Sequence, residues 1–112
     1  MSFKNIIQAI PLSTFASASL SSSYQAVNSS GFPYPILSLK ITNDGTTNIT
    51  VSFDGTTDNF LVLDGEIFTI NGNQYSSETP DAFKHPKGRI IYIKGTAGTG
   101  NIYLSGTYLA TN

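Results

Sequence analysis

The stretch Ile41-Thr42-Asn43-Asp44-Gly45-Thr46-Thr47-Asn48-Ile49-Thr50-Val51-Ser52-Phe53-Asp54-Gly55 decides the fold class. Apolar and polar residues alternate on both sides of a polar break. A two-residue period is that of a half-buried strand, and Asn, Asp and Gly tolerate the backbone angles of a tight turn. The stretch therefore reads as a β-hairpin. Leu37, Leu39 and Ile41 share a face with Ile49, Val51 and Phe53, and cross-strand pairs of this kind stabilise an antiparallel sheet.

The same grammar extends outward. No window carries a 3.6-residue apolar period, and β-branched and aromatic residues dominate the apolar set. Residues Phe3 to Ile10 read as a first strand, closed by Pro11. Leu12 to Val27 is rich in Ser and Ala, which leave little to bury, so residues 1–27 are either an assembly arm or an edge-strand segment. An arm predicts that removing residues 1–27 abolishes assembly and leaves the rest folded. Ile36 to Thr42 is a strand, and Phe60 to Leu63 pairs with Glu66 to Ile70 across Asp64-Gly65. Asn71-Gly72-Asn73 is a turn, and Gln74 to Gly88 shows no strand alternation. Arg89 to Lys94 is apolar on both faces, as a central strand is, or one covered by a partner. Gly95 to Gly100 turns the chain into a last strand, Asn101 to Ala110, in which Gly106 marks a bulge or a close backbone contact. The sum is all-β: a single antiparallel β-sandwich or jelly-roll-like domain over residues 1–112, of about eight short strands.

Composition narrows the function. Six basic and seven acidic residues give a formal net charge of −1, which opposes nucleic-acid binding. Lys84, Lys87 and Arg89 around His85 read as a solvated loop. There is no cysteine, hence no disulfide and no thiolate metal site. No apolar run reaches the roughly 20 residues of a membrane helix, and the start of the chain lacks the apolar core of a secretory leader. The expectation is a product made in the bacterial cytoplasm with no membrane partner. Few charges and many hydroxyls suit a protein packed against other subunits better than a free monomer.

Motifs with chemistry are weak. Gly95 to Gly100 lacks the Gly-Lys-Ser/Thr ending of a phosphate loop and leads into a strand, so a plain hairpin turn is expected. Asp44, Asp54, Asp58 and Asp64 are spread over several turns, where each can cap backbone donors, and no metal is expected. His85 is the only histidine, no Gly-x-Ser-x-Gly elbow is present, and Glu78 with Asp81 reads as a solvated pair. No enzyme activity and no cofactor are expected. Contact surfaces are expected at exposed aromatics. Phe15 and Tyr24 lie in the Ser-rich segment, and Phe32 and Tyr34 on the stiff Phe-Pro-Tyr-Pro run, where each either anchors the core or faces out. Phe83 lies in the irregular Pro80 to Pro86 loop and Tyr92 on the doubly apolar strand. The six tyrosines also allow a sugar-stacking groove, although tyrosine is equally common at protein interfaces.

The run Ile41 to Phe60, with its Ser52-Phe53-Asp54-Gly55 and Asp58, resembles a pattern of small virion proteins of tailed bacteriophages, of the head, neck or tail accessory type. Ile91 to Gly106 is similar to that group's closing hairpin. The resemblance implies a non-enzymatic β-sandwich subunit of the virion that attaches to capsid, neck or tail, with copies of itself and other virion proteins as partners. The alternative from a different class is a carbohydrate-binding module that adheres to a host-surface glycan.

Overall fold

Short strands and polar turns run throughout the computed structural model, which describes residues 6–71 and 85–110. In chain order the strands are Ile6–Ala9 (β1), Ser13–Ala16 (β2), Gln25–Ala26 (β3), Ser38–Gly45 (β4), Ile49–Ser52 (β5), Phe60–Val62 (β6), Ile67–Asn71 (β7), Tyr92–Gly95 (β8) and Gly100–Ala110 (β9). They form two antiparallel sheets packed as a sandwich. The first has the order β1-β9-β4-β7, with β2 also on β9, and the second the order β3-β8-β5-β6. Asn71 to Asn73 runs out of the described residues, and the segment 72–84 lies outside them, as do residues 1–5.

β1 and β2 are two halves of one edge strand, so the described residues form eight. β1 runs from Ile6 opposite Ala110 to Ala9 opposite Thr107, and β2 resumes at Ser13 opposite Leu104. Residues 10–12 thus face only Ser105 and Gly106, which is a β-bulge. Pro11, with no N–H to offer, sits in it, and the bulge turns Ile10 into the core, 8% exposed. The Ile10 N–H donates to the Gly106 carbonyl at 3.0 Å. A Cβ at Gly106 would lie 2.8 Å from the Ser38 carbonyl oxygen, so the close backbone approach expected there is present.

The strands pair as one long ladder: β1 and β2 with β9, β3 with β8, β4 with β7, and β5 with β6. The ladder wraps alternately onto the two sheets, and wrapping adds the pairs β4–β9 and β5–β8. This is the winding of a jelly roll. It corrects the hairpin expected at Ile41 to Gly55. β4 and β5 lie in opposite sheets and face each other through the core, so residues 46–48 cross between sheets. The same correction applies to Phe60–Ile70 and to Ile91–Gly106. β6 and β7 lie in different sheets, as do β8 and β9. The local hairpin among the described residues is instead β5–β6, closed by residues 53–59. An alternating strand buries its apolar side whether its successor lies beside it or across from it, so the pattern alone suits both.

The core consists of Leu39 and Ile41 from β4, Ile102 and Leu104 from β9, Ile49 and Val51 from β5, and Ile93 from β8, all under 2% exposed. Val62, Ile91, Ile36 and Phe32 complete it, and Ile10 and Leu20 close the side formed by β1–β3. Of the two readings of residues 1–27, the described part takes up edge-strand positions on this chain's own sheets. β8 is central, between β3 and β5, and the inward face of Arg89 to Lys94 buries Ile91 and Ile93 fully, while Ile90 and Tyr92 on the outward face are half-buried.

One buried polar residue ties the crossovers together. Asn43 has no exposed surface. Its amide nitrogen donates to the carbonyls of Thr47 (2.9 Å), Val62 (3.2 Å) and Leu63 (3.3 Å), and its amide oxygen accepts from the Gly45 N–H at 3.1 Å. Its backbone bonds Glu66 and Gly65. Asn43 therefore holds residues 45–47 and 62–66, two crossings of the sandwich, with one side chain. Gly100 shapes the adjoining crossing. Its φ is +89°, and a Cβ there would meet the Asp44 carbonyl oxygen at 2.3 Å.

Candidate functional site

The candidate site is a set of surfaces. The outer face of the first sheet follows from the register. Thr14, Tyr103, Thr42 and Ile67 form one row across it, and Ser105, Lys40 and Thr69 the next. Lys40 and Asp44 are the only charged residues on the strands of this sheet. The face is thus broad and polar yet almost uncharged, because hydroxyls occupy the outward positions of the alternation.

The outer face of the second sheet carries a compact polar cluster. The Tyr24 hydroxyl donates to the Asp58 carboxylate, and Lys94 Nζ lies 3.0 Å from Asp58 Oδ1. The same ammonium sits 4.7 Å from the centroid of the Tyr24 ring. The Tyr24 hydrogen bond, then Lys94, lowers the Asp58 carboxyl, while desolvation and the Asp58 carboxylate push the Tyr24 phenol up to about 12. Both cluster partners of Asp58 hold it as an anion. Beside it, Asp54 organises the β5–β6 loop. Its Oδ1 accepts from the N–H groups of Thr56 (2.9 Å) and Thr57 (2.8 Å), and its Oδ2 from the Thr57 hydroxyl. These donors depress its carboxyl far below the usual carboxylate range. This is the capping role expected for turn aspartates. Among the described residues no group of three or more His, Asp or Glu converges on a metal-sized point.

His85 is buried at one end of the sandwich, where it exchanges two 2.8 Å backbone bonds with Ile36. Its ring meets Phe32 and Phe53 edge-on, at centroid distances of 6.5 and 6.0 Å. Arg89 lies over the other contact of this group, 4.4 Å from the Phe53 ring centroid. Burial lowers the His85 pKa from 6.5; a hydrogen bond to the Ile70 backbone opposes the shift and the Arg89 charge adds to it. The folded protein thus binds this proton less tightly than the unfolded chain. The stabilisation is whole above the ordinary value of 6.5 and is lost as pH falls through the lowered folded value. Thermal denaturation followed on acidification from neutrality should show a falling midpoint. The variant His85→Phe, which keeps an aromatic ring against Phe32 and Phe53, should lose that slope.

On the side formed by β1–β3, Ile10, Pro11, Val27 and Phe32 line a groove of about 480 Å³. Tyr34, 47% exposed, stacks on Tyr108 nearby in the chain fold, with ring centroids 4.0 Å apart and planes 10° apart.

The five described among the six aromatics singled out in the sequence do not form one patch. Phe15 points inward from β2 and packs against the core. Phe32 is 2% exposed, a core residue and not a contact residue, because its backbone pairs with Gly88 and Arg89 and its ring meets His85 edge-on. Tyr24 belongs to the Asp58–Lys94 cluster. Tyr92 is half-buried beneath the loop after β5, where a Cβ added at Gly55 would lie 3.4 Å from its ring. Among the described five, Tyr34 alone is well exposed. Phe83 lies outside the described residues, as do Tyr75, Glu78, Asp81 and the loop up to Lys84. The tyrosines are therefore distributed over three surfaces, and a single tyrosine-lined groove is not formed among the described residues.

Sequence reasoning missed the exposed aliphatics. Leu61 (61%), Leu63 (40%) and Ile67 (58%) flank the crossing from β6 to β7, and Ile7 and Leu12 lie on the opposite side. The available signal was Phe60-Leu61-Val62-Leu63, apolar at every position in a strand whose inward face needs only every second one. No helix among the described residues is long and apolar enough to cross a membrane. No protein-family model and no curated protein matches the chain.

Proposed function

We propose that this chain is a non-enzymatic structural subunit of a tailed-bacteriophage particle, joined to copies of itself and to other virion proteins of the head, neck or tail. The observation that carries the proposal is the outer face of the first sheet, rich in hydroxyls, with Lys40 and Asp44 as its only strand charges among the described residues. Such a face can be covered by another subunit at little desolvation cost, since few ions must leave water. Exposed Leu61, Leu63 and Ile67 at one side point the same way. The turn pattern of Ile41 to Phe60 adds the resemblance to small phage virion proteins. Double-sheet jelly rolls recur in viral capsids and in lectins, a fold-level analogy that raises both readings without deciding between them.

The test is quantitative mass spectrometry of purified phage particles from the source, taking copy number relative to the major capsid protein. The expected result is a stoichiometric subunit: near parity for a shell-decorating protein, far below parity for a neck or tail component. Absence from particles overturns the proposal. The stacked Tyr34–Tyr108 pair, with Tyr34 exposed, favours one second reading, a glycan-adhesion module. It predicts that Tyr34→Ala abolishes binding on a glycan array without changing oligomeric state.

A further inference from the structure

The two sides of the sandwich are guarded differently. Where β1, β2 and β3 end the sheets, the edge is broken by the Pro11 bulge and β3 is two residues long. Both devices oppose the addition of another strand. On the other side β6 is short as well, at three residues, but β7 carries neither device. β7, Ile67-Phe68-Thr69-Ile70-Asn71, has no proline and no charge, and no strand among the described residues pairs with its outer edge.

The hydrogen-bond direction of that edge can be read from its partner. The Asn43 N–H donates to the Glu66 carbonyl, so Ile41 and Leu39 also face β7 and bond Phe68 and Ile70. The N–H and C=O groups of Ile67, Thr69 and Asn71 therefore point outward. We propose that β7 pairs antiparallel with β7 of a second copy, about a two-fold axis at Thr69, joining the first sheets of two molecules into one continuous sheet.

Three features of the strand select a second copy as the occupant. The sequence is self-complementary about Thr69: Phe68 comes opposite the partner's Ile70, and both are half-buried apolar residues on the core side of the seam. Ile67 comes opposite the partner's Asn71, so no like charges meet, which is the usual obstacle to self-pairing of an edge. The exposed Leu61 and Leu63 of the neighbouring β6 segment lie on the same side of the sandwich and would be drawn toward the seam. This pairing deepens the assembly reading above and rests on it in one respect, that the chain works as part of an oligomer.

The experiment is sedimentation velocity on the full chain and on Thr69→Pro and Thr69→Lys. Proline removes an N–H that only the outer edge uses, and lysine places like charges across the axis. Circular dichroism and thermal melting confirm that each variant is folded. The expected result is a wild-type mass of twice the chain, or a multiple of it, falling to the mass of one half of that unit in both variants. A monomeric wild-type chain, or folded variants that keep the wild-type mass, overturns the pairing. The outcome is independent of the particle measurement. A dimer that β7 variants break, in a chain absent from particles, refutes the virion reading and leaves the pairing standing. A virion protein whose mass ignores Thr69 does the reverse.

Discussion

Deleting residues 1–27 should leave a chain that no longer unfolds cooperatively. An assembly arm would allow the opposite, a folded remainder that fails to assemble, and the pairing scheme is what reverses the expectation. β1 and β2 cover one whole side of β9, from Ile6 opposite Ala110 to Ala16 opposite Asn101. β3 covers β8. Ile10 and Leu20 are core residues, 8% and 5% exposed, and Phe15 and Val27 pack against that core. Losing a buried aliphatic side chain of this size costs about 2–5 kcal/mol, so Ile10 and Leu20 together account for roughly 4–10 kcal/mol. That is of the order of the whole stability of a small domain, about 5–15 kcal/mol. The measurement is urea denaturation followed by far-ultraviolet circular dichroism. A sigmoidal transition in the truncated chain would show that the sandwich closes without its first three strands, and would restore the arm.

The substitution Asn43→Leu should be the most damaging single change among the buried positions. The new side chain is apolar and of similar size, and by pattern alone it belongs there, since Leu39, Ile41 and residue 43 share the inward face of β4. Yet it strands the Gly45 N–H and removes the side-chain donor that, alone among the described residues, reaches the carbonyls of Thr47, Val62 and Leu63. Each buried group left without a partner costs about 1–3 kcal/mol, and the total expected is roughly 3–5 kcal/mol. The urea midpoint should fall with its slope unchanged. Asn43→Asp separates hydrogen bonding from volume. It keeps an acceptor for Gly45 but points a carboxylate at three carbonyls, so its pKa must rise in the folded state. Such a group destabilises the fold above its raised pKa, and stability should recover as pH falls through that value. A stability of Asn43→Leu equal to that of the native chain would sink the claim that this residue buckles two crossings.

The surfaces were legible only in part. Phe32 and Tyr34 stand two residues apart on the same proline-rich run, yet one is buried and the other half-exposed. No local property separates them. The difference is that Phe32 faces the groove wall of Ile10 and the His85 ring, more than twenty and fifty residues away respectively in the chain. Tyr24, Asp58 and Lys94 gather in the same way, from a segment before β3, the β5–β6 loop and β8. The edge position of β7 among the described strands could not be read at all without their order, because an edge is a property of position in a sheet. Capping by Asp54 was readable, since its partners Thr56 and Thr57 lie within three residues.

What the chain determined by itself was therefore everything with a short range. Period-two alternation, the punctuation by Gly, Asn, Asp and Pro, and the lack of any helical period imposed short strands and an all-β sandwich. Pro11 ended the first strand and Gly106 marked a bulge or a close contact in advance, because a missing N–H and a missing Cβ act where they stand; that the chain resumes beyond Pro11 on the same neighbour, making a bulge, came from the pairing. Only the tertiary structure decided which strands pair. A hairpin and a crossing between sheets both put Ile41 and Val51 in the core, so burial, the largest driving force, does not distinguish them. The choice falls to partners distant in sequence: β9, which takes the place beside β4 that β5 was expected to hold, and Asn43, whose buried amide closes crossings on both sides of it.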